Sequence, residues 1–208
     1  MRKHGRVLSK KQLVQIIDFA RSKYETNDFN HNIDHMELTV RIAGILAKKE
    51  GADAEICMVA AYLHDIGRKK IKGRHGEKGA GMARVFLEKM ELSPVFVNAV
   101  CYCISRHDSG SPKRTKEAAV LWDADKLQAV GPFGFIRIFA HHLIYDTRDI
   151  YLAKQLAQKK IRFFYQRFHT RTGKALAKRL HNYMDEFYAL IDLVKKAQIE
   201  KISRTKDA

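Results

Sequence analysis

Helical periodicity is the feature that most constrains the fold of this chain. Apolar residues recur three and four positions apart in successive segments, and several segments follow a helix-capping residue. Asp53, Ser93 and Thr115 are such caps, and Pro94 stands at a first helical position. Only three prolines occur in 208 residues, and no segment shows a convincing alternating strand pattern. The sequence therefore predicts an all-α fold.

The predicted helices cover most of the chain. Ser9 and Gln12 form a capping-box pattern, and Gly51 is a predicted C-cap. We expect helices over about residues 9–20, 33–50, 53–65, 77–90, 93–106, 115–129, 133–145, 150–169 and 173–199. Gly131 and Pro132 are interpreted as a turn within one domain that spans residues 1–208.

Charge and cysteine content limit the partners and the compartment. Lysine and arginine number 39 against 23 acidic residues, a net charge of +16, so the surface can attract nucleic acid, nucleotides or other polyanions. The cysteines, Cys57, Cys101 and Cys103, form no C-x-x-C pair, which favours a reducing compartment. The sequence shows no signal peptide and no apolar run long enough to span a bilayer, so we expect a cytoplasmic protein without a membrane partner.

Polar residues occupy positions where the helical pattern expects apolar ones. His35, His64 and Asp125 each lie on an apolar stripe of a predicted helix, and Asp65 follows His64 directly. A lone inward histidine is usually a hydrogen-bonded core residue, Asp65 alone can end a helix, and Asp125 alone can pair with an arginine. Together they supply imidazole and carboxylate ligands for one or two divalent ions: Mn, Fe, Co, Ni or Zn, with Mg as a further option. Ile66 and Gly67 end the helix, which lets both residues of the pair face one ion.

The chain resembles the HD superfamily of metal-dependent phosphohydrolases. The resemblance rests on HMELTVRIAGILAKKEGAD, AAYLHDIG and LWDADKLQAVG, which follow in that order across about residues 30–135. It implies a compact HD-domain helical bundle with this metal-site core and an additional basic helical extension over about residues 136–208. The H…HD…D ligands of the family correspond to His35, His64, Asp65 and Asp125.

Further candidate site residues follow from this resemblance. Periodicity does not separate Asp123 from Asp125, but the family places its last ligand directly before a basic residue, which selects Asp125. Histidines between the HD pair and the last aspartate hold a second metal or contact phosphate in many members, and His75 and His107 occupy suitable places. The alternatives are a solvated loop residue for His75 and a helix C-terminal partner for His107.

His31 is a candidate proton donor. The segment His31-Asn32-Ile33-Asp34-His35 resembles the Y-H-N-x-x-H motif of cyclic-nucleotide phosphodiesterases, although Asn30 replaces the tyrosine. In that motif the first histidine protonates the leaving oxygen and the last binds metal. The alternative is that His31 only caps a helix.

The predicted chemistry is hydrolysis of a phosphoester or phosphoanhydride bond, with a nucleotide or related phosphate compound as substrate. We expect His31 and Asp65 to take part in catalysis. Basic residues around the site are candidate phosphate ligands: Arg68, Lys69, Lys70 and Lys126.

Two other functions are compatible with the sequence. An HD-type di-iron oxygenase would use the same histidines and aspartates. A nucleic-acid-binding module with a structural or vestigial metal site would use residues 151–208, where 14 basic residues outnumber 5 acidic ones and aromatic residues such as Phe163 and Phe164 interleave. The sequence does not predict the oligomeric state.

Overall fold

The computed structural model describes residues 8–24, 28–68, 75–108 and 113–196, and this part of the chain contains helices and no β-strand. The all-α prediction is confirmed. The helices are α1 (Lys10–Tyr24), α2 (Ile33–Glu50), α3 (Ala54–Leu63), α4 (His75–Glu88), α5 (Pro94–Arg106), α6 (Lys116–Lys126), α7 (Gly131–Tyr145), α8 (Ile150–Tyr165), α9 (Arg171–His181) and α10 (Met184–Lys195). A 3-10 turn, Leu127–Ala129, follows α6 directly.

Capping residues explain where several helices begin and end. Asp53, Ser93 and Thr115 each accept hydrogen bonds from backbone N–H groups of the first helical turn, as predicted. Ser9 and Gln12 form the predicted reciprocal bonds at the start of α1. Gly51 ends α2 with a φ of 64°, a left-handed conformation that glycine adopts readily.

Helix α3 lies at the centre of the packing and ends at the HD pair. It packs against α1, α2, α5 and α6, and α4 packs against α5. Leu63 at its end is fully buried, as are Leu46 of α2, Ile104 of α5 and Leu121 of α6. Apolar contacts surround α3 on several sides. The residues that follow Leu63 therefore have a fixed position inside the fold.

Several helix boundaries differ from the predicted ones, and Gly131 and Pro132 begin α7 instead of forming a separate turn before it. Helix α3 ends at Leu63, two residues before its predicted end at residue 65. Helix α6 ends at Lys126, and a 3-10 turn covers the last three residues of its predicted range. The long helix predicted over residues 173–199 is divided at Asn182 and Tyr183. Asp185 and Glu186 occupy the first turn of α10, where their negative charge stabilises a new helix N-terminus.

The contacts group the chain into two compact units, residues 1–128 with 167–174 and residues 129–166 with 175–208. The first unit holds α1 to α6. In the second unit α7 packs against α8, and Phe135 contacts the rings of Phe187 and Tyr188. The single domain over 1–208 stays a prediction, because two contact units can belong to one folding domain. Within the described ranges, no helix combines the length and apolar character needed to cross a bilayer.

Candidate metal centre

Six of the predicted site residues meet at the ends of five helices. His35 lies in the first turn of α2, His64 and Asp65 form the turn after α3, and His75 begins α4. His107 follows α5, and Asp125 lies in the last turn of α6. All six side chains are buried except that of His75, which is partly exposed. Helix ends rather than helix centres therefore supply the site.

The first group of candidate ligand atoms belongs to His35, His64 and Asp125. Nε2 of His35 lies 3.2 Å from Nε2 of His64 and 3.5 Å from Oδ1 of Asp125. One ligand atom from each residue lies within 4.8 Å of the others. Two imidazole nitrogens and a carboxylate oxygen at these separations can hold a divalent ion.

The second group consists of Asp65, His75 and His107. Oδ1 of Asp65 lies 3.0 Å from Nε2 of His75 and 3.2 Å from Nε2 of His107, and these two nitrogens are 3.0 Å apart. The other oxygen of Asp65 faces the first group, 3.5 Å from Nε2 of His64 and 3.9 Å from that of His35. Asp65 therefore stands between the two groups, with one oxygen directed to each.

Each of the four histidines has its Nδ1 atom next to an oxygen acceptor. Nδ1 of His64 lies 2.8 Å from the carbonyl oxygen of Ala61, and Nδ1 of His107 lies 2.7 Å from the carbonyl oxygen of Ile104. A carbonyl oxygen can only accept, so these Nδ1 atoms carry the proton and each Nε2 presents a lone pair. The corresponding acceptors for His35 and His75 are the Gln128 amide oxygen at 3.0 Å and the Asp108 carboxylate at 3.1 Å.

This arrangement is typical of metal-binding histidines, whose second ring nitrogen donates to a carbonyl or carboxylate that fixes the tautomer. Gln128 is itself held by Thr39, whose hydroxyl accepts a hydrogen bond of 2.8 Å from its amide nitrogen. The carboxylate of Asp108 also accepts from the backbone N–H of Gly76 at 3.0 Å. The candidate ligand atoms are therefore oriented by a second layer of buried and partly buried hydrogen bonds.

Tyr24 of α1 fixes the turn that carries the HD pair. Its hydroxyl accepts a hydrogen bond from the backbone N–H of Asp65 at 3.1 Å and lies 3.1 Å from Nδ1 of His64. The residue is 1% exposed, and burial together with the charge of Asp65 raises its pKa well above the usual value. The phenol therefore stays protonated and acts as a fixed hydrogen-bonding group.

The electrostatics favour ionised carboxylates and a neutral His64. Burial alone would raise the pKa of Asp65, but His64 and the neighbouring imidazoles lower it well below its usual range. Burial alone would likewise raise the pKa of Asp125, but the charge of Lys126 and the facing imidazoles lower it overall. The pKa of His64 is lowered by burial, although both carboxylates oppose this effect. Burial alone would also lower the pKa of His107, but its hydrogen bond with Asp65 and the charge of that carboxylate raise it overall. Ionised carboxylates and a neutral imidazole are the ligand forms of these groups.

His31 lies close to the centre, in the turn that precedes α2. Helix α2 begins at Ile33 with Asn32 as its cap, so His31 lies in the preceding turn and is not the capping residue. Its ring packs edge-on against that of His35, with centroids 5.6 Å apart. Its Nδ1 lies 2.8 Å from a carboxylate oxygen of Asp28, a partner that the sequence analysis missed.

Two of the predicted phosphate ligands, Lys126 and Arg68, lie within the described residues. The ammonium group of Lys126 contacts the carboxylate of Asp125. Arg68 lies at the end of the HD turn, with its Nε 3.9 Å from Asp28. Lys69 and Lys70 lie outside the described residues.

Asp123 has other partners than Asp125. Its carboxylate accepts hydrogen bonds from the backbone N–H of His169 at 2.9 Å and from both the N–H and the hydroxyl of Thr170, at 2.8 and 2.7 Å. A Cβ atom at Gly173 would lie 2.2 Å from the same carboxylate, so glycine permits this close approach. Asp123 therefore holds the segment 167–174 against α6.

Sequence reasoning also missed Tyr24, Gln128 and Asp108. Asp108 follows His107 in a second His-Asp pair, and Gln128 stands three residues after Asp125. Both spacings were visible in the sequence. Tyr24 has no comparable local signal, because it lies 41 residues from Asp65 and reaches it only through the packing of α1 against α3.

Comparisons with known proteins agree with this geometry. Residues 32–130 match the family model of the HD domain. A Ribonuclease Y from Thermus thermophilus is 34% identical over 133 residues, which are 62% of this chain and 21% of that protein. The chain thus corresponds to about a fifth of the length of this relative.

Two solved structures share most of the fold. A protein from Lactobacillus plantarum has a TM-score of 0.72 and 26% identity, and the match covers 91% of this chain and 99% of that one. A predicted HD superfamily hydrolase from an uncultured Thermotogales bacterium has a TM-score of 0.53 and 27% identity, and the match covers 74% of this chain and 87% of that one.

Residues 32–130 of this chain form an HD domain. The predicted helical bundle of that family is confirmed, and the comparisons support a metal-dependent hydrolase in general. The histidine and aspartate groups are suited in number and in ligand chemistry to a divalent metal.

Proposed function

We propose that this HD-domain protein is a phosphohydrolase that cleaves a phosphoester or phosphoanhydride bond of a nucleotide or related phosphate compound with two divalent ions. The observation that carries the proposal is the convergence of four histidine Nε2 atoms on two carboxylates, with each Nδ1 atom next to an oxygen acceptor. A histidine cluster with a purely structural role does not need all four lone pairs to face one space.

The two groups of ligand atoms divide the residues between two ions. His35, His64 and Asp125 would hold one, His75 and His107 would hold the other, and Asp65 would contribute an oxygen to each. When bound, such ions neutralise phosphate charge, polarise the phosphoryl group and promote the ionisation of water near neutral pH. Mn, Fe, Co, Ni and Zn suit the mixed nitrogen and oxygen set, and Mg is less suited to four imidazoles.

We propose that His31 protonates the leaving oxygen. Burial alone would raise the pKa of Asp28, but its hydrogen bond with His31 and the charge of that imidazole lower it to about 2. Asp28 is thus ionised near neutral pH and accepts the Nδ1–H of His31. This bond fixes the ring and leaves Nε2 to carry the proton that the departing oxygen needs.

Cationic side chains around the ligands favour a phosphate substrate. Lys126 is next to Asp125, and Arg68 is next to the pair of His31 and Asp28. Positive charge at this place stabilises the negative charge that builds up on phosphoryl oxygens in the transition state. A di-iron oxygenase could use the same six ligands, but the cations give an anionic substrate the advantage.

Metal analysis and a substrate panel on two matched variants test the proposal. Wild type is expected to contain divalent metal and to hydrolyse nucleotides or phosphate esters with Mn²⁺. Asp65→Ala should lose metal and more than about a hundredfold of the turnover. Asp34→Ala is the control, because this exposed carboxylate lies next to His35 in sequence and belongs to neither ligand group.

His31→Asn separates catalysis from metal binding. We expect it to retain the metal content of wild type and to lose roughly a hundredfold or more in turnover, the usual contribution of a positioned acid. A wild-type protein that takes up oxygen with bound iron and cleaves no phosphate compound would instead identify the oxygenase. Normal turnover in His31→Asn would remove His31 from the mechanism.

A second candidate function is cleavage of RNA. Residues 150–184 contain nine lysines and arginines and no aspartate or glutamate. Eight of these side chains are exposed: Lys159, Lys160, Arg162, Arg167, Arg171, Lys174, Lys178 and Arg179. This segment has the charge that attracts a polyanion, and the similarity to Ribonuclease Y makes RNA the polyanion to test first.

The salt dependence of binding distinguishes RNA from a small substrate. If RNA is the substrate, its affinity should fall steeply with salt, and neutralising Lys159, Lys160 and Arg162 together should weaken binding and flatten that dependence. The same triple variant should hydrolyse a mononucleotide as wild type does. Salt-insensitive RNA binding, or none, would leave the small phosphate compound as the substrate.

A further inference from the structure

A half-buried lysine lies over the single tryptophan of the chain, close to the metal centre. Trp122 belongs to α6, is 3% exposed and stands three residues before Asp125. The ammonium nitrogen of Lys113 lies 4.2 Å from the centre of its ring, and that of Lys126 lies 5.3 Å from the same point. The ammonium groups of two lysines therefore lie over the ring of Trp122.

A single cation over an indole ring needs no further explanation, because the ring face attracts it. Two cations on one ring repel each other, and the attraction of the ring is shared between them. Burial lowers the pKa of Lys113 to about 8, the charge of Lys126 contributes to this shift, and Asp108 opposes it. An anion bound within reach of both ammonium groups would be attracted by both charges.

The neighbours of the ring restrict where such an anion can bind. His169 packs edge-on against Trp122, with ring centroids 5.8 Å apart, on the segment that Asp123 holds in place. The indole N–H of Trp122 is buried and has no hydrogen-bond acceptor among the described residues. Lys126 also contacts Asp125, so the cation pair begins directly beside the first group of ligand atoms.

We propose that Lys113 and Lys126, seated on Trp122, bind a second phosphate group of the substrate while the reacting phosphate lies at the histidine and aspartate centre. The ligand class is a compound with a phosphoanhydride bond, such as a nucleoside di- or triphosphate. Such a compound has two adjacent phosphates joined by one bridging oxygen. The metal centre and the cation pair are also adjacent, because Lys126 of the cation pair contacts Asp125 of the centre. This inference rests on the proposed phosphohydrolase function and narrows its substrate.

Because Trp122 is the only tryptophan, its fluorescence reports occupancy of this site without turnover. We expect inorganic pyrophosphate to change the emission of the Mg²⁺-supplemented protein in a saturable manner. Lys113→Gln should weaken this binding roughly tenfold, the usual effect of removing a charge-assisted hydrogen bond. Lys113→Arg should retain most of it, and Lys116→Gln, an exposed lysine three residues further on, should bind as wild type does.

Steady-state kinetics give the second measurement. Lys113→Gln should raise KM for ADP roughly tenfold, whereas turnover of p-nitrophenyl phosphate, which has one phosphate group, should stay within about twofold of wild type. Equal effects on both substrates, or unchanged pyrophosphate binding in Lys113→Gln, would overturn the second-phosphate site. If wild type hydrolyses neither compound, the proposed function fails, and the fluorescence titration alone decides whether Lys113 binds phosphate.

Discussion

Substitution of Gln128 tests whether the second layer of hydrogen bonds sets metal affinity. Its amide oxygen lies 3.0 Å from Nδ1 of His35, and its amide nitrogen donates to Thr39. Gln128→Leu keeps a similar volume and removes the acceptor, so the Nδ1–H of His35 is left buried without its partner. Leaving a buried donor unpaired costs about 1–3 kcal/mol, and it also frees the ring to change tautomer and orientation.

The expected result is a 10- to 100-fold loss of affinity for the ion held by His35, or about 1.4–2.8 kcal/mol. Gln128→Glu is the matched control, because it restores an oxygen acceptor for the His35 ring and loses only the bonds that the amide nitrogen donates to Thr39 and to the His35 carbonyl. It should recover most of the affinity. Calorimetric titration of the metal-free proteins with Mn²⁺ measures both variants, and thermal melts in EDTA check that each one folds.

The reasoning would be refuted by Gln128→Leu protein that melts like wild type and binds Mn²⁺ within about twofold of it. It would also be refuted if Gln128→Glu bound no better than Gln128→Leu. In either case the orientation of His35 would not depend on Gln128, and the hydrogen bond would be a consequence of packing alone.

Other contacts of the site lead to three further predictions. Asp125→Asn should weaken Mn²⁺ binding more than about tenfold by calorimetry, whereas Asp123→Asn should bind normally but lose about 1–3 kcal/mol of unfolding free energy in urea. Gly67→Ala places a Cβ 2.4 Å from the carbonyl oxygen of His75 and should cost about 1–3 kcal/mol and reduce the bound metal. Gly81→Ala, which meets nothing within 4 Å, should be neutral or stabilising in the same assays. Removal of metal by EDTA should lower Tm by about 5–10 °C, the effect expected for a ligand at a hundredfold excess over its Kd.

The helices were predictable from the sequence wherever a local signal marked them. Asp53, Ser93 and Thr115 cap their helices through side-chain bonds to residues two or three positions away, so the signal and the structure lie in the same short segment. The break at Asn182 was missed because helical periodicity continues across it. Asp185 and Glu186 stabilise an N-terminus there, but acidic residues are also common inside helices, so they gave no unambiguous signal.

The proposed metal ligands were visible for a different reason. A histidine or aspartate on an apolar stripe stands where an apolar residue is expected, so the neighbouring sequence alone reveals it. The residues that orient the ligands contradict nothing in their own segments. Tyr24, for example, lies on the buried side of an ordinary amphipathic helix, and its role depends on a partner 41 residues away. Such partners become visible only when the packing of the helices is known.

Asp123 and Asp125 illustrate what the structure adds. Both carboxylates are buried in α6, so neither periodicity nor burial tells which one belongs to a metal site. Asp123 is surrounded by three donors from His169 and Thr170, and this saturation explains why it can be buried without an ion. Asp125 instead faces Nε2 of His35, whose proton is assigned to Nδ1 by Gln128. An oxygen lone pair that faces a nitrogen lone pair in a buried site is unfavourable unless a cation lies between them, and this is the physical reason to propose Asp125 as the ligand.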